Sequence, residues 1–504
     1  MKFLTALLIS AALLTSACGS EAPAKTKKVF RYGTTAYGIA TENAGMDVHE
    51  SYKGWSAIRY GVGETLFKFN GAMQPEPWLA EKYEFLDDYT VKITLRDEVY
   101  FTNGNKMTGD AVKACLLDLL ARHNRAKGDL AITAITAEGQ TVTLTSANKV
   151  PVLINYLCDP YGCIVDMSNG NISGTGPYMV QSLTQKEVVL LPNKNYWGGA
   201  PGLDKIIVSS ITDGNTLALA LQNGEIDAAQ GLPYASLALF KDNPAYKIST
   251  ADTSRTFQAA FNFNTPALKD ERVRRAIALC MDRDTFARVQ LLGNGVAAAS
   301  PFPANLPFGG DKVNSPGYDV EQAKALLAEA GWIDTDGDGY VDKNGAPLTL
   351  RWLTYTARQE LPLLAEAAQS WLKQAGIHLE INATDGYNDY LRRSDWDIYT
   401  KAFVTAPTGD AQYYFTAHAL ADSAYNNGGY RSEAIENLVQ QLRSEFDPAK
   451  RSELAVQISQ QLLDDSAFMY IAHLKMPLVM KTGVQNFAAH PCDYYEVTKD
   501  LTVN

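Results

Sequence analysis

The chain has 504 residues, more than one hydrophobic core organises, so two or three units are expected. Hydrophobic residues make up 46% and charged residues 20%, the profile of a soluble globular protein. A formal charge of −11 with no lysine–arginine cluster argues against nucleic acid as a partner.

The chain opens with a targeting pattern: Lys2 as a short basic region, an apolar run over 3–14, and Thr15-Ser16-Ala17 before Cys18. The run is too short to span a bilayer, which takes about 20 apolar residues. Residues 19–28 are polar and aperiodic, suited to a tether. From 29 to 260 short strands alternate with helices. Val91-Lys92-Ile93-Thr94-Leu95 and Val142-Thr143-Leu144-Thr145 alternate at period two. Residues 261–264, Phe-Asn-Phe-Asn, predict a strand entering a turn. Pro266 then blocks helix at Thr265. Asp270 is a good N-cap, and Val273, Ala276, Ile277 and Cys280 follow at helical spacing. The longest helical patterns fall in 261–480. Asp319 with Gln322 opens one and Gly331 ends it, and Asp447-Pro448 opens another. The tail, 484–503, is short and β-like.

Beyond Cys18 there are five cysteines, so at least one is unpaired. Cys158 and Cys163, four residues apart in the intervening sequence, could close a small loop. Cys115 and Cys280 sit on apolar helical faces and read as core. Asp334, Asp336, Asp338 and Asp342 occupy positions 1, 3, 5 and 9 of a loop similar to an EF-hand. Gly345 stands where the bidentate Glu would be, so a polar Asp/Gly turn is the expectation and a weak calcium site the alternative. Gly61-Val62-Gly63 lacks the third glycine of a dinucleotide loop. No Walker A or G-x-S-x-G motif occurs, and His49-Glu50 lacks the second His of H-E-x-x-H. No enzyme and no catalytic cofactor is expected.

Several motifs fall in one order along the chain: Leu95 through Gly104, Gly174-Thr175-Gly176-Pro177-Tyr178, Asn193 through Gly199, Asn223-Gly224-Glu225-Ile226-Asp227, the 261–283 segment, and Tyr318-Asp319 through Gly331-Trp332. In wording, order and spacing they resemble the dipeptide/oligopeptide/nickel family of solute-binding proteins, receptors of ABC importers. The resemblance implies an α/β fold of the two-lobed periplasmic-binding-protein type, the large variant with an extra subdomain. Lobe I would be 29–260 plus 481–504, with a subdomain near 75–200. Lobe II would be 261–480, and ligand would be trapped in the cleft as the lobes close about a hinge. A monomer working with the importer's permease subunits is implied, in the periplasm or on the outer face of the cytoplasmic membrane. Residues 14–18 resemble a bacterial lipoprotein site, with Cys18 lipidated after removal of 1–17. Cleavage without lipid is the other reading.

The ligand class turns on 403–418. Peptide-binding relatives carry an Asp three residues before the one aligned with Asp410, to pair with the peptide ammonium. This chain has Pro407 there, and a buried ammonium without its carboxylate is costly. The nickel branch also lacks that Asp. His49, His418 and the segment His490-Pro491-Cys492-Asp493-Tyr494-Tyr495 resemble positions of that branch, as does Arg122 beside His123. The resemblance implies nickel carried as a small organic chelate, such as nickel–histidine. It implies metal ligands His49 and His490 and a ligand shell of Arg122, Tyr413, His418 and Tyr495, with Arg122 holding the chelator's carboxylate. His473 reads as structural. A short-peptide receptor is the alternative, and a secreted enzyme reusing the fold a more distant one.

Overall fold

The computed structural model describes residues 27–35, 47–50, 53–168 and 173–504. The targeting segment, Cys18 and most of the tether lie outside the described residues.

Helix and strand signals act where the sequence places them. Asp270 accepts from the Arg272 amide and caps the helix Glu271–Leu279, whose Val273, Ala276 and Ile277 are buried. Asp319 caps Val320–Glu329, and Gly331, at φ +84°, turns the chain out of it. Asp447 caps Pro448–Asp464. The strand expected at 261–264 lies earlier, over Tyr246–Phe261. Asn262 ends it by donating through Nδ2 to the Trp396 carbonyl at 2.8 Å, while its Oδ1 accepts from the Asn264 amide. The side chain thus competes with strand pairing.

Among the described residues one mixed sheet of eleven strands runs through the molecule. Its middle is formed by two long antiparallel strands, Tyr246–Phe261 and Phe468–Lys481. On one side lie Ile398–Val404, Thr349–Thr354 and His378–Ala383. On the other lie Ala228–Gln230, Val29–Thr34, Lys205–Ser210, Glu187–Pro192 and Tyr178–Leu183. Along this ladder Tyr246 pairs with Lys481 at one end and Ala260 with Phe468 at the other, so the positions near 260 and 480 lie at opposite ends of it. Their pairing slips between Asp252 and Thr256. A separate antiparallel sheet, Ala80–Phe85, Thr90–Leu95, Thr141–Ser146 and Ile132–Glu138, carries the helix Gly109–Arg122 and lies inside the range expected for a subdomain.

The five described cysteines are buried free thiols, so the loop proposed between Cys158 and Cys163 is not closed. Cys158 donates to the Ile154 carbonyl, and Cys163 packs against Gly63, where an added Cβ would lie 2.2 Å from its sulfur. Asp334, Asp336 and Asp338 bring carboxylate oxygens within 4.8 Å of one another. Asp334 is engaged by the amides of Gly337 and Gly339, and Asp342 by Thr335, so the loop closes on itself as a polar turn. Among the described residues no helix is long and apolar enough to cross a membrane.

The tail is fixed by one buried cation. Arg59 ends the helix Lys53–Arg59 fully buried. Its Nε donates to the Asp493 carbonyl at 2.9 Å, its Nη2 lies 3.0 Å from Asp493 Oδ1, and Glu496 Oε1 is 3.6 Å from Nε. Glu496 also accepts from the Tyr32 hydroxyl and from Gln230 Nε2 at 2.9 Å. Arg59→Met would leave two carboxylates without their cation. A loss of about 3–5 kcal/mol is expected in chemical denaturation. A loss under about 1 kcal/mol would mean that tail packing, not the ion group, carries the attachment.

Candidate functional site

A pocket of about 430 Å³ opens where the tail, the two long strands and the loop 357–360 meet. That volume suits a small organic ligand. Trp55, Gln230 and Tyr234 form one side, the tail residues Pro491 through Tyr494 a second, and Arg255, Val404 and 357–360 the third. Gln230 is held by the Thr34 hydroxyl at 2.9 Å and by Glu496, so its orientation derives from the Arg59 group. Tyr234 donates to the Lys475 carbonyl at 3.1 Å.

The pocket's charge is unusual. Arg255 and Arg358 both line it. Neither guanidinium makes an ion pair or hydrogen bond with a described residue. Burial, then the neighbouring Arg255 charge, press the Arg358 pKa below its ordinary value, against Glu360. Lys475, Glu360 and Asp493 line the pocket too, but Asp493 is taken by Arg59 and Glu360 forms no ion pair with either arginine, so two unpaired guanidinium groups face the cavity and favour an anionic occupant. Each fork matches a carboxylate bidentately.

None of the site residues expected from the sequence lines this pocket. Arg122 has other partners: its guanidinium donates to Asp118 at 3.0 Å and pairs with Asp47. His49 is 2% exposed, with Nδ1 2.8 Å from Asp118 Oδ2 and Nε2 3.7 Å from Cys115 sulfur. Asp118 thus ties His49 and Arg122 into the subdomain, away from the pocket. His490 and Tyr495 flank the lining run of the tail. His490 Nδ1 is 3.0 Å from Cys492 sulfur, and burial pushes its pKa down to about 4. Tyr495 accepts the Phe69 amide through its hydroxyl at 2.9 Å and packs edge-on against Trp78 and His490. Tyr413 stacks on Phe403, with the Arg125 guanidinium 4.8 Å from its ring centre. His418 is fully buried between Tyr414 and Tyr425. His473, against Thr256 Oγ1 at 2.9 Å, has the structural role expected of it.

The tail segment singled out in the sequence supplies Pro491 through Tyr494 to the lining, whereas the sequence did not single out Arg255 or Arg358. One signal was present for Arg358. It stands just before the helix Glu360–Gln374, where the helix dipole disfavours a cation, so another reason for it was needed. Arg255 sits in a strand and carried no such signal.

Comparison with known proteins agrees with the fold. The family model for bacterial extracellular solute-binding proteins, family 5 Middle, matches residues 74–426. The chain is 30% identical over 524 residues to the nickel-binding protein NikA of Staphylococcus aureus, covering 100% of both chains. It is 26% identical to the glutathione-binding protein GsiB of Escherichia coli, covering 79% of this chain and 80% of that one. A crystal structure of Staphylococcus aureus NikA in complex with Ni(L-His)2 superposes with a TM-score of 0.79 at 28% identity, over 95% of this chain and 100% of the other.

Burial holds four histidines below their ordinary pKa: His490 at about 4, His473 at about 3, and His49 and His418 lower than usual. The unfolded chain binds protons that the folded one refuses. Their contribution is therefore complete above about pH 6.5 and falls as pH drops toward 4, by about 2 kcal/mol each for His490 and His473 between pH 7 and 5. Urea denaturation at those two pH values should show the loss. Equal stability at both would mean these histidines are protonated in the native protein.

Proposed function

The chain belongs to family 5 of the bacterial extracellular solute-binding proteins, and from that membership we propose that it captures nickel as a small, carboxylate-bearing chelate and delivers it to the permease of an ABC importer. It is a binding protein, not an enzyme, and a protein of this family works outside the cytoplasm. The observation that carries the ligand class is the pair Arg255 and Arg358, facing one pocket without a carboxylate partner. A bis-amino-acid chelate brings two carboxylates to such a pair and supplies most of the metal's nitrogen and oxygen donors itself. The nickel relatives support the metal.

His490 is the histidine placed to add a protein donor, because it adjoins the lining run 491–494, and to do so its ring gives up its contact with Cys492 or with the Asn70 backbone. Burial keeps it in the neutral form that ligates metal. Proton competition at this residue then sets in near pH 4, below the ordinary His value of about 6.5. His49 has both ring nitrogens engaged and drops out of the ligand set. Lobes hinged on the two long strands close over the chelate. Cys18 is the proposed lipid attachment, with residues 19–28 as tether.

Calorimetry with nickel and excess free histidine tests this reading. Arg255→Gln and Arg358→Gln should each weaken binding by about 10- to 100-fold, the worth of a charge-assisted hydrogen-bond set. Arg122→Ala should leave it unchanged, and His490→Ala should alter the nickel absorption spectrum. Micromolar binding of glutathione or a tripeptide, with no binding of nickel–histidine, would overturn the nickel reading in favour of a peptide receptor. For the anchor, Cys18→Ala should release the protein from membranes, and unchanged membrane association would reject a lipid at that position.

A further inference from the structure

On the face of the sheet away from the pocket lies a second polar site. The strand Ile398–Val404 alternates its side chains, so Val404 meets the pocket while Lys401 and Phe403 point the other way. Lys401 is 9% exposed. No described carboxylate or carbonyl pairs with it. Its ammonium lies over the rings of Tyr425, at 4.4 Å, and Phe403, at 5.1 Å. Opposite Lys401 in the strand pairing stands Gln258, 1% exposed. Its Oε1 accepts from the Tyr414 hydroxyl at 2.9 Å, and its Nε2 has no partner. His418 packs on the same rings, Phe403 at 4.4 Å and Tyr425 at 5.2 Å, and stacks on Tyr414 at 4.5 Å. His418 Nδ1 faces the Tyr414 carbonyl at 3.3 Å and so carries the proton, leaving Nε2 as a buried acceptor without a donor.

Two buried nitrogens without a partner, the donor Gln258 Nε2 and the acceptor His418 Nε2, thus lie against the same aromatic group as the Lys401 ammonium, which has no carboxylate among the described residues. Each buried orphan costs about 1–3 kcal/mol, and a buried ammonium without an anion more. A halide would answer the donors and meet the imidazole lone pair. A carboxylate has no hydrogen for Nε2. The pattern asks for a small anion that accepts twice and donates once.

We propose that Lys401, Gln258 and His418 bind a small oxyanion that keeps one O–H, of the bicarbonate class, with its hydroxyl donating to His418 Nε2 and its other oxygens accepting from Lys401 and Gln258. Binding is non-covalent. Tyr425, 39% exposed, forms the outer wall and gives the route in. The anion neutralises Lys401, which burial alone pushes down to a pKa of about 7. It also braces, from behind, the strand that carries Val404 to the pocket.

Thermal denaturation of the full mature chain at pH 7.5 tests the site with sodium bicarbonate, sodium chloride and sodium formate at equal ionic strength. Bicarbonate at roughly ten times its dissociation constant should raise the melting temperature by about 1–2 °C, with no rise in chloride or formate. Lys401→Met removes a buried charge, so it should fold and lose the response. His418→Phe keeps the ring stack and should lose the preference for bicarbonate over formate. The Arg255→Gln/Arg358→Gln double variant must keep the response, because the pocket arginines also attract anions. A crystal grown in bicarbonate should show a planar three-oxygen group against Lys401. Equal rises in all three salts, loss of the rise in the arginine double variant, or a single water at the site would each overturn the proposal.

Discussion

A single buried cation decides the shape of the pocket beside the two long strands. Arg59 draws the tail onto the helix Lys53–Arg59 through Asp493 and Glu496. Glu496 then reaches Tyr32 on the strand Val29–Thr34 and Gln230 on the neighbouring strand. Four segments distant in sequence meet within one hydrogen-bonded group. A buried charge is tolerated only when its partners are in place, so the group is all-or-none. Two pocket walls, the 491–494 run and Gln230, inherit their positions from it.

Function divides along the same line. The charges that hold the fold are paired: Arg59 with the tail, Arg451 with Asp410 at 2.8 Å, Arg125 with Asp159 at 2.7 Å. Arg255 and Arg358 have no such partner among the described residues, and they face the pocket. Satisfied charges keep geometry, and in the proposed function the unsatisfied pair serves a partner that comes and goes.

How much was legible in the sequence follows from the range of each interaction. Caps at Asp270, Asp319 and Asp447 act over two or three residues, and the turn at Gly331 over one, so local wording suffices for them. Ordered motifs carried the family and with it the two-lobed fold. The site was harder. His49 and Arg122 looked chemical by type and neighbourhood, yet Asp118 commits both: Arg122 from one turn earlier on the same helix, and His49 from some seventy residues away, where nothing local announces such a partner. Arg255 and Arg358 lie about a hundred residues apart and form a pair only after the sheet is built. Cys158 and Cys163 are close in sequence, but burial on separate packing contacts keeps them as thiols.

The slip in pairing between Asp252 and Thr256 sets Arg255 at an irregularity of the two long central strands. If the proposed hinge runs through those strands, Arg255 would stand at the fulcrum and hardly travel when the arms swing, whereas Arg358 would ride out on the moving arm. An incoming anion would then dock on Arg255 first, with the arms apart, and closure would bring the second guanidinium to it. Capture becomes a sequential grip with one stationary jaw. Arrival is then governed by the charge at the pivot, and residence time by the jaw that moves.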